Sequence, residues 1–183
     1  MTNKILVVDL EATCWEEDGP YQKLHSEIIE IGICILDTST GSIAGQRGIL
    51  VKPVHSSIST FCTNLTSITP ELVAAEGVSL AEAMHTLKDE YHATQLTWAS
   101  YGAYDHHFLR EQCAKQEIDY CMADEHINIK VLLSQAINIK KGLGMKRALK
   151  HLNIPLDGTH HRGVSDAYNS AKILWWILNN KQA

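Results

Sequence analysis

Short segments rich in branched apolar side chains, near the start of the chain, constrain its fold most strongly. Residues 5–8 form a continuous apolar run of the kind found in a central strand covered on both faces. Residues 28–36 (IIEIGICIL) predict a second strand and residues 45–51 a third, and the turn-rich residues 37–41 between them favour a hairpin. Helices and strands alternate after this point, which predicts an α/β sheet that begins as a meander.

Capping signals and apolar periodicity locate the remaining elements. Ser79 and Glu82 have the spacing of a capping box, which predicts a helix that begins there and continues to about residue 91. Further strands are predicted at 96–100 and 126–129, and further helices at 104–116, 131–137, 144–152 and 164–179. Gly19-Pro20 predicts a surface loop. The chain has no internal repeat and no linker-like stretch, so residues 1–183 are expected to form a single domain.

Charge and cysteine content exclude several classes of protein. The net charge of −5 argues against a protein that coats long duplex DNA electrostatically. Five cysteines without a CxxC pair predict neither a disulfide framework nor a zinc ribbon, and they favour reduced thiols in the cytoplasm. The apolar run at 5–8 is too short for a signal peptide or a membrane span, so no membrane association is expected.

Two acids directly follow the first apolar run. Asp9 and Glu11 are two residues apart in a predicted strand, so their side chains lie on the same face. Two close carboxylates repel each other unless a cation lies between them, and hard oxygen ligands favour Mg²⁺ or Mn²⁺. A DxE pair alone is weak, because two acids at the end of a strand can also simply face solvent.

Two more acids and a histidine complete the candidate site. Asp105 lies at the start of a predicted helix, beside small residues and the aromatic Tyr104, which can stack on a base. Asp166 opens the last helix, and His161 lies in the polar segment before it, where it can accept a proton from water at neutral pH. Each residue also has an ordinary interpretation: helix capping for the acids and an exposed loop position for the histidine.

Other polar residues are weaker candidates for metal ligands. The pairs His106-His107 and His160-His161 suggest zinc, but no further histidine or cysteine falls at ligand spacing. Glu30 lies in an apolar strand, where we expect an acid at a sheet edge or one neutralised by a partner rather than a metal ligand.

The ordered set Asp9-x-Glu11, Asp105 and His161-x4-Asp166 resembles the DEDDh branch of the DEDD superfamily of 3′–5′ exonucleases. Six segments are similar, in order, to eri-type exonucleases and to KapD-like exonucleases: VVDLEATCW, SEIIEIG, FCTNLTSIT, SYGAYDHHFL, INIK and HHRGVSDAYNSAKI. The similarity extends over nearly the whole chain, and the combination is specific although each piece alone is not.

The resemblance implies a ribonuclease H-like α/β fold, a mixed five-stranded sheet flanked by helices. It also implies two divalent ions, Mg²⁺ or Mn²⁺, held by the four acids, with His161 as general base. The implied substrate contacts are Ala12, Thr13, Phe61, Leu65 and Tyr104. Tyr104 stands where related enzymes often have tryptophan, and Phe61 and Leu65 are equally compatible with core packing.

The expected activity is stepwise release of 5′-mononucleotides from single-stranded 3′ ends. RNA is favoured over DNA because the resemblance is strongest to RNA-processing members. Trimming of DNA 3′ ends is the alternative substrate, and a non-catalytic nucleic-acid-binding regulator is the alternative class. The chain shows no basic stripe and no room for the additional nucleic-acid-binding domain of eukaryotic relatives, so short or frayed ends are expected substrates.

Overall fold

The computed structural model describes residues 3–17 and 19–180. The strands are β1 (Lys4–Ala12), β2 (Ile28–Asp37), β3 (Ile43–Leu50), β4 (Trp98–Ser100) and β5 (His126–Asn128). The helices are α1 (Pro20–His25), α2 (Thr60–Thr66), α3 (Pro70–Glu76), α4 (Leu80–Glu90), α5 (Tyr104–Lys115), α6 (Ile129–Ala136), α7 (Met145–His151) and α8 (Gly163–Asn180).

The five strands form one mixed sheet in the order β3-β2-β1-β4-β5. β1 lies in the centre, antiparallel to β2 and parallel to β4, while β2–β3 is the expected hairpin. β5 extends the parallel half of the sheet. The prediction of a mixed five-stranded sheet flanked by helices is therefore confirmed.

Alternation along β1 separates two cores. Leu6, Val8 and Leu10 pack on one face against α4 and α5, whereas Val7 packs on the other face against α7 and α8. Because side chains alternate along a strand, Asp9 and Glu11 share the face of Val7. The DxE pair is thus directed towards the α8 side of the sheet.

Three short helices were not predicted. The expectation of a loop at Gly19-Pro20 was wrong, because Pro20 occupies the first turn of α1, a position where its missing N–H costs nothing. Ser59 and Thr69 cap α2 and α3 in the ordinary way, by accepting bonds from Cys62 and Leu72. These helices have only six or seven residues each, too few to produce a readable apolar period.

No helix within residues 3–17 and 19–180 has both the length and the apolar character needed to cross a membrane.

Candidate active site

Three of the predicted acids converge at the centre of the sheet. Carboxylate oxygens of Asp9, Glu11 and Asp166 all lie within 4.8 Å of one another. Asp9 and Glu11 come from β1, while Asp166 comes from the first turn of α8 on the same side of the sheet. Glu11 and Asp166 are only 8% and 5% exposed, so little water reaches their charges.

Asp105 borders this group from the opposite direction. It opens α5 immediately after β4, and its Oδ1 accepts the backbone N–H of Leu10 at 3.1 Å. Leu10 stands between Asp9 and Glu11, so the bond holds Asp105 beside the DxE pair. Burial is the largest cause of the raised pKa of Asp9, and repulsion from Asp105 is the next.

The electrostatics of the cluster are strongly unfavourable without a cation. Burial, followed by repulsion from Asp166, raises the pKa of Glu11 from 4.5 to about 8. Burial likewise raises the pKa of Asp105 to about 6, and the pKa of Asp9 is raised by burial and by the neighbouring acids. A set of buried carboxylate oxygens without a thiolate fits hard divalent ions such as Mg²⁺ or Mn²⁺.

A contact between two glycines brings α8 onto the sheet. Gly32 pairs with Asp9 across β1 and β2, and a Cβ atom at Gly32 would lie 1.8 Å from the carbonyl carbon of Gly163. Only hydrogen at Gly32 permits this approach. The start of α8, and with it Asp166, therefore reaches the face that carries Asp9.

Glu30 secures the same junction. It is fully buried opposite Glu11, and its carboxylate accepts two bonds from Arg162, from Nε and Nη2, both at 3.1 Å. The backbone N–H of Gly163 donates a third bond at 2.8 Å. The expectation of a partner for Glu30 was right; the alternative of an edge position was wrong, because β2 lies between β3 and β1.

The two adjacent histidines make different contacts with Asp166. The ring Nδ1 of His160 lies 2.9 Å from Asp166 Oδ2, whereas His161 donates only its backbone N–H to that oxygen, at 3.0 Å. The two rings stack with centroids 3.9 Å apart. His161 has a φ of 66°, an uncommon left-handed conformation that its N–H bond to Asp166 helps to hold.

Burial, followed by the charge of His160, lowers the pKa of His161. Its ring is consequently neutral at pH 7 and able to accept a proton. The role of general base stays a prediction for His161, and the ring contact of His160 makes that residue its natural comparison.

Three predicted substrate contacts expose their side chains. Tyr104 is 58% exposed, Phe61 41% and Leu65 39%, so none of the three is part of the buried core. The Tyr104 ring stacks on Phe108 with centroids 5.0 Å apart. Helix α2, which carries Phe61 and Leu65, is tied to the segment after β1 because the hydroxyl of Ser59 donates to Cys14 O at 2.6 Å.

Ala12 and Thr13 differ from these three. Ala12 is partly exposed at the end of β1, next to a register shift. Thr13 is fully buried, and its hydroxyl accepts the Glu27 N–H at 2.9 Å and contacts Ser56 Oγ at 2.9 Å. The Thr13 side chain thus anchors the chain after β1 and presents no surface of its own.

Sequence reasoning missed Gly32, Gly163 and Arg162. The available signal was the spacing of Glu30 and Gly32, two residues apart like Asp9 and Glu11 and on an adjacent predicted strand. Their partners lie more than 130 residues away, so local pattern alone does not reveal the contacts.

Comparison with solved structures defines the class. The fold matches the nuclease domain of 3′hExo, a DEDDh family member, bound to rAMP, with a TM-score of 0.86 and 26% identity over 97% of this chain and 92% of that one. The mixed sheet is thus that of a ribonuclease H-like DEDDh nuclease.

Residues 6–174 match the RNase_T exonuclease family, and the chain belongs to that family. It is similar to 3′-5′ exoribonuclease 1 of Rattus norvegicus, with 30% identity over 96% of this chain and 53% of the relative. It is also similar to ERI1 exoribonuclease 2 of Mus musculus, with 29% identity over 96% of this chain and 28% of the relative. The chain therefore spans about half or less of the length of these relatives.

Proposed function

We propose that this protein is a metal-dependent 3′–5′ exonuclease that releases 5′-mononucleotides from single-stranded 3′ ends, with RNA favoured over DNA. The observation that carries the proposal is the convergence of Asp9, Glu11 and Asp166 within 4.8 Å, beside Asp105 and a neutral His161. Membership of the exonuclease family and the likeness to two exoribonucleases support the same activity.

Asp9, Glu11, Asp105 and Asp166 would hold two divalent ions, Mg²⁺ or Mn²⁺. The fit rests on their chemistry: the oxygens are hard ligands, and burial raises the pKa of all four carboxyls, so a nearby cation would favour their ionised forms. When bound, such ions polarise a phosphodiester and stabilise the negative charge that develops in its displacement.

The protein's own groups account for proton transfer and positioning. His161 would accept the proton of the attacking water, a role suited to a ring that is neutral at pH 7. Glu30 and Arg162 hold the loop that carries this histidine against the sheet.

The exposed rings of Tyr104 and Phe61, with Leu65, would hold the terminal base, and the partly exposed Ala12 would border it. The buried Thr13 would act indirectly, by holding the segment after β1 in place. Stacking of this kind is worth about 1–3 kcal/mol per base. A clamp built on a terminal base favours a free end over a continuing strand.

The proposed preference for RNA is based on similar proteins. Two relatives are named exoribonucleases, and the similar solved structure is bound to rAMP. Trimming of DNA 3′ ends is the alternative on the same site. A non-catalytic regulator is disfavoured because all four acids and His161 are present.

We further propose that residues 1–183 act as one exonuclease domain in the cytoplasm, a location supported by five cysteines that form no disulfide.

A set of matched oligonucleotides tests the proposal. A linear RNA with a free 3′ hydroxyl should be shortened stepwise in Mg²⁺ or Mn²⁺, the same RNA with a 3′ phosphate should react slowly, and its circular form should survive. DNA of equal sequence should be a poorer substrate. Asp9→Asn is the control and should abolish turnover of the linear RNA without loss of fold. Cleavage of the circle at the rate of the linear strand would contradict an exonuclease.

A further inference from the structure

Positive charge is concentrated in one segment of this acidic chain. Residues 126–156 contain six of the 16 lysines and arginines and none of the 21 acids. The expectation that the chain has no basic stripe was therefore wrong on this segment, because the net charge of −5 conceals a local excess of cations.

The fold gathers five of these cations on α7 and the loop before it. Lys140, Lys141, Lys146, Arg147 and Lys150 are all exposed, and we call this set the basic face. Within residues 3–17 and 19–180, none of the five makes an ion pair. Their charge is thus not neutralised by the described part of the protein.

The basic face opens directly onto the active site. A cavity of about 330 Å³ is lined by Lys146, Arg147 and His160, together with Gly144 and Met145. His160 is the residue whose ring contacts Asp166. Lys146 also lowers the pKa of His161, which places its charge near the proposed base.

A second cavity is lined by α6 and by part of the loop that precedes α7. It has a volume of about 450 Å³, and its lining contains Lys130 and Lys140 among otherwise neutral residues. One of these is Gly142, which lies two residues before Gly144 of the first cavity. Basic side chains line both cavities, and neither lining includes an acid.

We propose that the basic face binds the phosphate backbone of the single strand upstream of its terminal nucleotide. The inference rests on the proposed function and names a substrate path for the same site. The strand is favoured over an acidic protein partner because Lys146 and Arg147 line the same cavity as His160, whose ring contacts Asp166. A chain of phosphates that leads to the proposed site would pass these cations. Helix α7 has seven residues and is about 10 Å long, which corresponds to about two or three phosphates.

The expected effect is a dependence of affinity on length and salt. Counterion release at single strands gives a slope of about −0.7 per phosphate contact, so one contact is worth about fivefold at 0.1 M salt. Loss of two phosphate contacts should weaken the binding of a long strand by about 10–30-fold. Binding of a dinucleotide, which does not reach the basic face, should change much less.

The test compares Lys146→Ala/Arg147→Ala with wild type on RNAs of two, four, six and 12 nucleotides. For the variant, KM should rise by about 10–30-fold on the 12-mer, well beyond any change on the dinucleotide. The decrease in KM with increasing RNA length should therefore be smaller for the variant than for wild type. The salt slope of 12-mer binding, measured by fluorescence anisotropy in EDTA, should fall by about one to one and a half. Arg47→Ala/Lys88→Ala removes the same two types of charge from β3 and α4 and should match wild type.

Two results would overturn the inference: equal defects at all lengths, which would indicate a local effect on the site, or an unchanged KM and salt slope on the 12-mer. Binding of an acidic peptide by wild type but not by the variant, with RNA affinity unchanged, would assign the face to a protein partner instead. If wild type hydrolyses no oligonucleotide, the proposed function fails, and the anisotropy experiment still decides whether the basic face binds the strand.

Discussion

Replacing Glu11 with glutamine should stabilise the metal-free protein while weakening its response to metal. Glu11 has a pKa of about 8 in the folded protein against an ordinary value of 4.5. Between pH 4.5 and about 8, Glu11 is protonated in the folded state and ionised in the unfolded state. Its titration therefore lowers the free energy of unfolding progressively as pH rises through this range. Glutamine has the same shape and carries no charge, so it removes this dependence.

The size of the effect follows from the two pKa values. At pH 7 the raised pKa of Glu11 lowers the free energy of unfolding of the metal-free protein by about 3 kcal/mol, compared with a residue that does not titrate. For a chain of 183 residues this corresponds to a rise in Tm of about 6–12 °C on substitution. At pH 5 the melting temperatures of the variant and wild type should nearly converge.

Thermal melts in EDTA at pH 5, 6, 7 and 8, repeated with Mg²⁺, test this reasoning. Wild type should gain more from Mg²⁺ than the variant, because the variant lacks one ligand. Glu76→Gln, at an exposed position at the end of α3, is the control and should change stability by no more than about 0.5 kcal/mol. If Glu11→Gln melts at or below wild type in EDTA at pH 7 and 8, the account of buried, mutually repelling carboxylates is refuted.

Three further outcomes are expected. His161→Ala should lower kcat by about 10²–10⁴-fold with His160→Ala less damaging, and steady-state kinetics that show the reverse order would move the role of base to His160. Gly32→Ala should cost about 4 kcal/mol or more in urea unfolding, because its Cβ would meet the backbone of Gly163, whereas Gly144→Ala meets no atom within 4 Å and should fold normally. Chelation should abolish nucleotide release and added Mg²⁺ or Mn²⁺ should restore it; release that persists after thorough EDTA treatment would exclude a metal-dependent site.

Local sequence signals predicted the elements whose residues carry them. The apolar runs became β1 and β2, and the capping box of Ser79 and Glu82 is present with both of its reciprocal bonds. β4 is shorter than predicted, because only Trp98–Ser100 pairs with neighbouring strands while Leu96 is buried beside them. A run of apolar residues predicts burial, and pairing depends on the neighbouring strands that are present.

The proposed ligand acids could be selected from the sequence, but the contacts that bring them together could not. Asp9 and Glu11 share a face by strand geometry alone, and Asp166 was assigned by its position at the start of the last helix. Their approach depends on Gly32 and Gly163, a contact between residues distant in sequence that no local pattern encodes.

Glu30 shows why the number of acids on a face is not the number of metal ligands. It lies opposite Glu11, on the same side of the sheet, and is more deeply buried. Two donors from Arg162 and one from Gly163 satisfy its carboxylate, so a metal would have to displace a bidentate ion pair to bind there. Among residues 3–17 and 19–180 Glu11 has no such partner, and burial raises its pKa instead. The partners of each carboxylate therefore separate the acid that holds the loop from the acids that remain available to bind a cation.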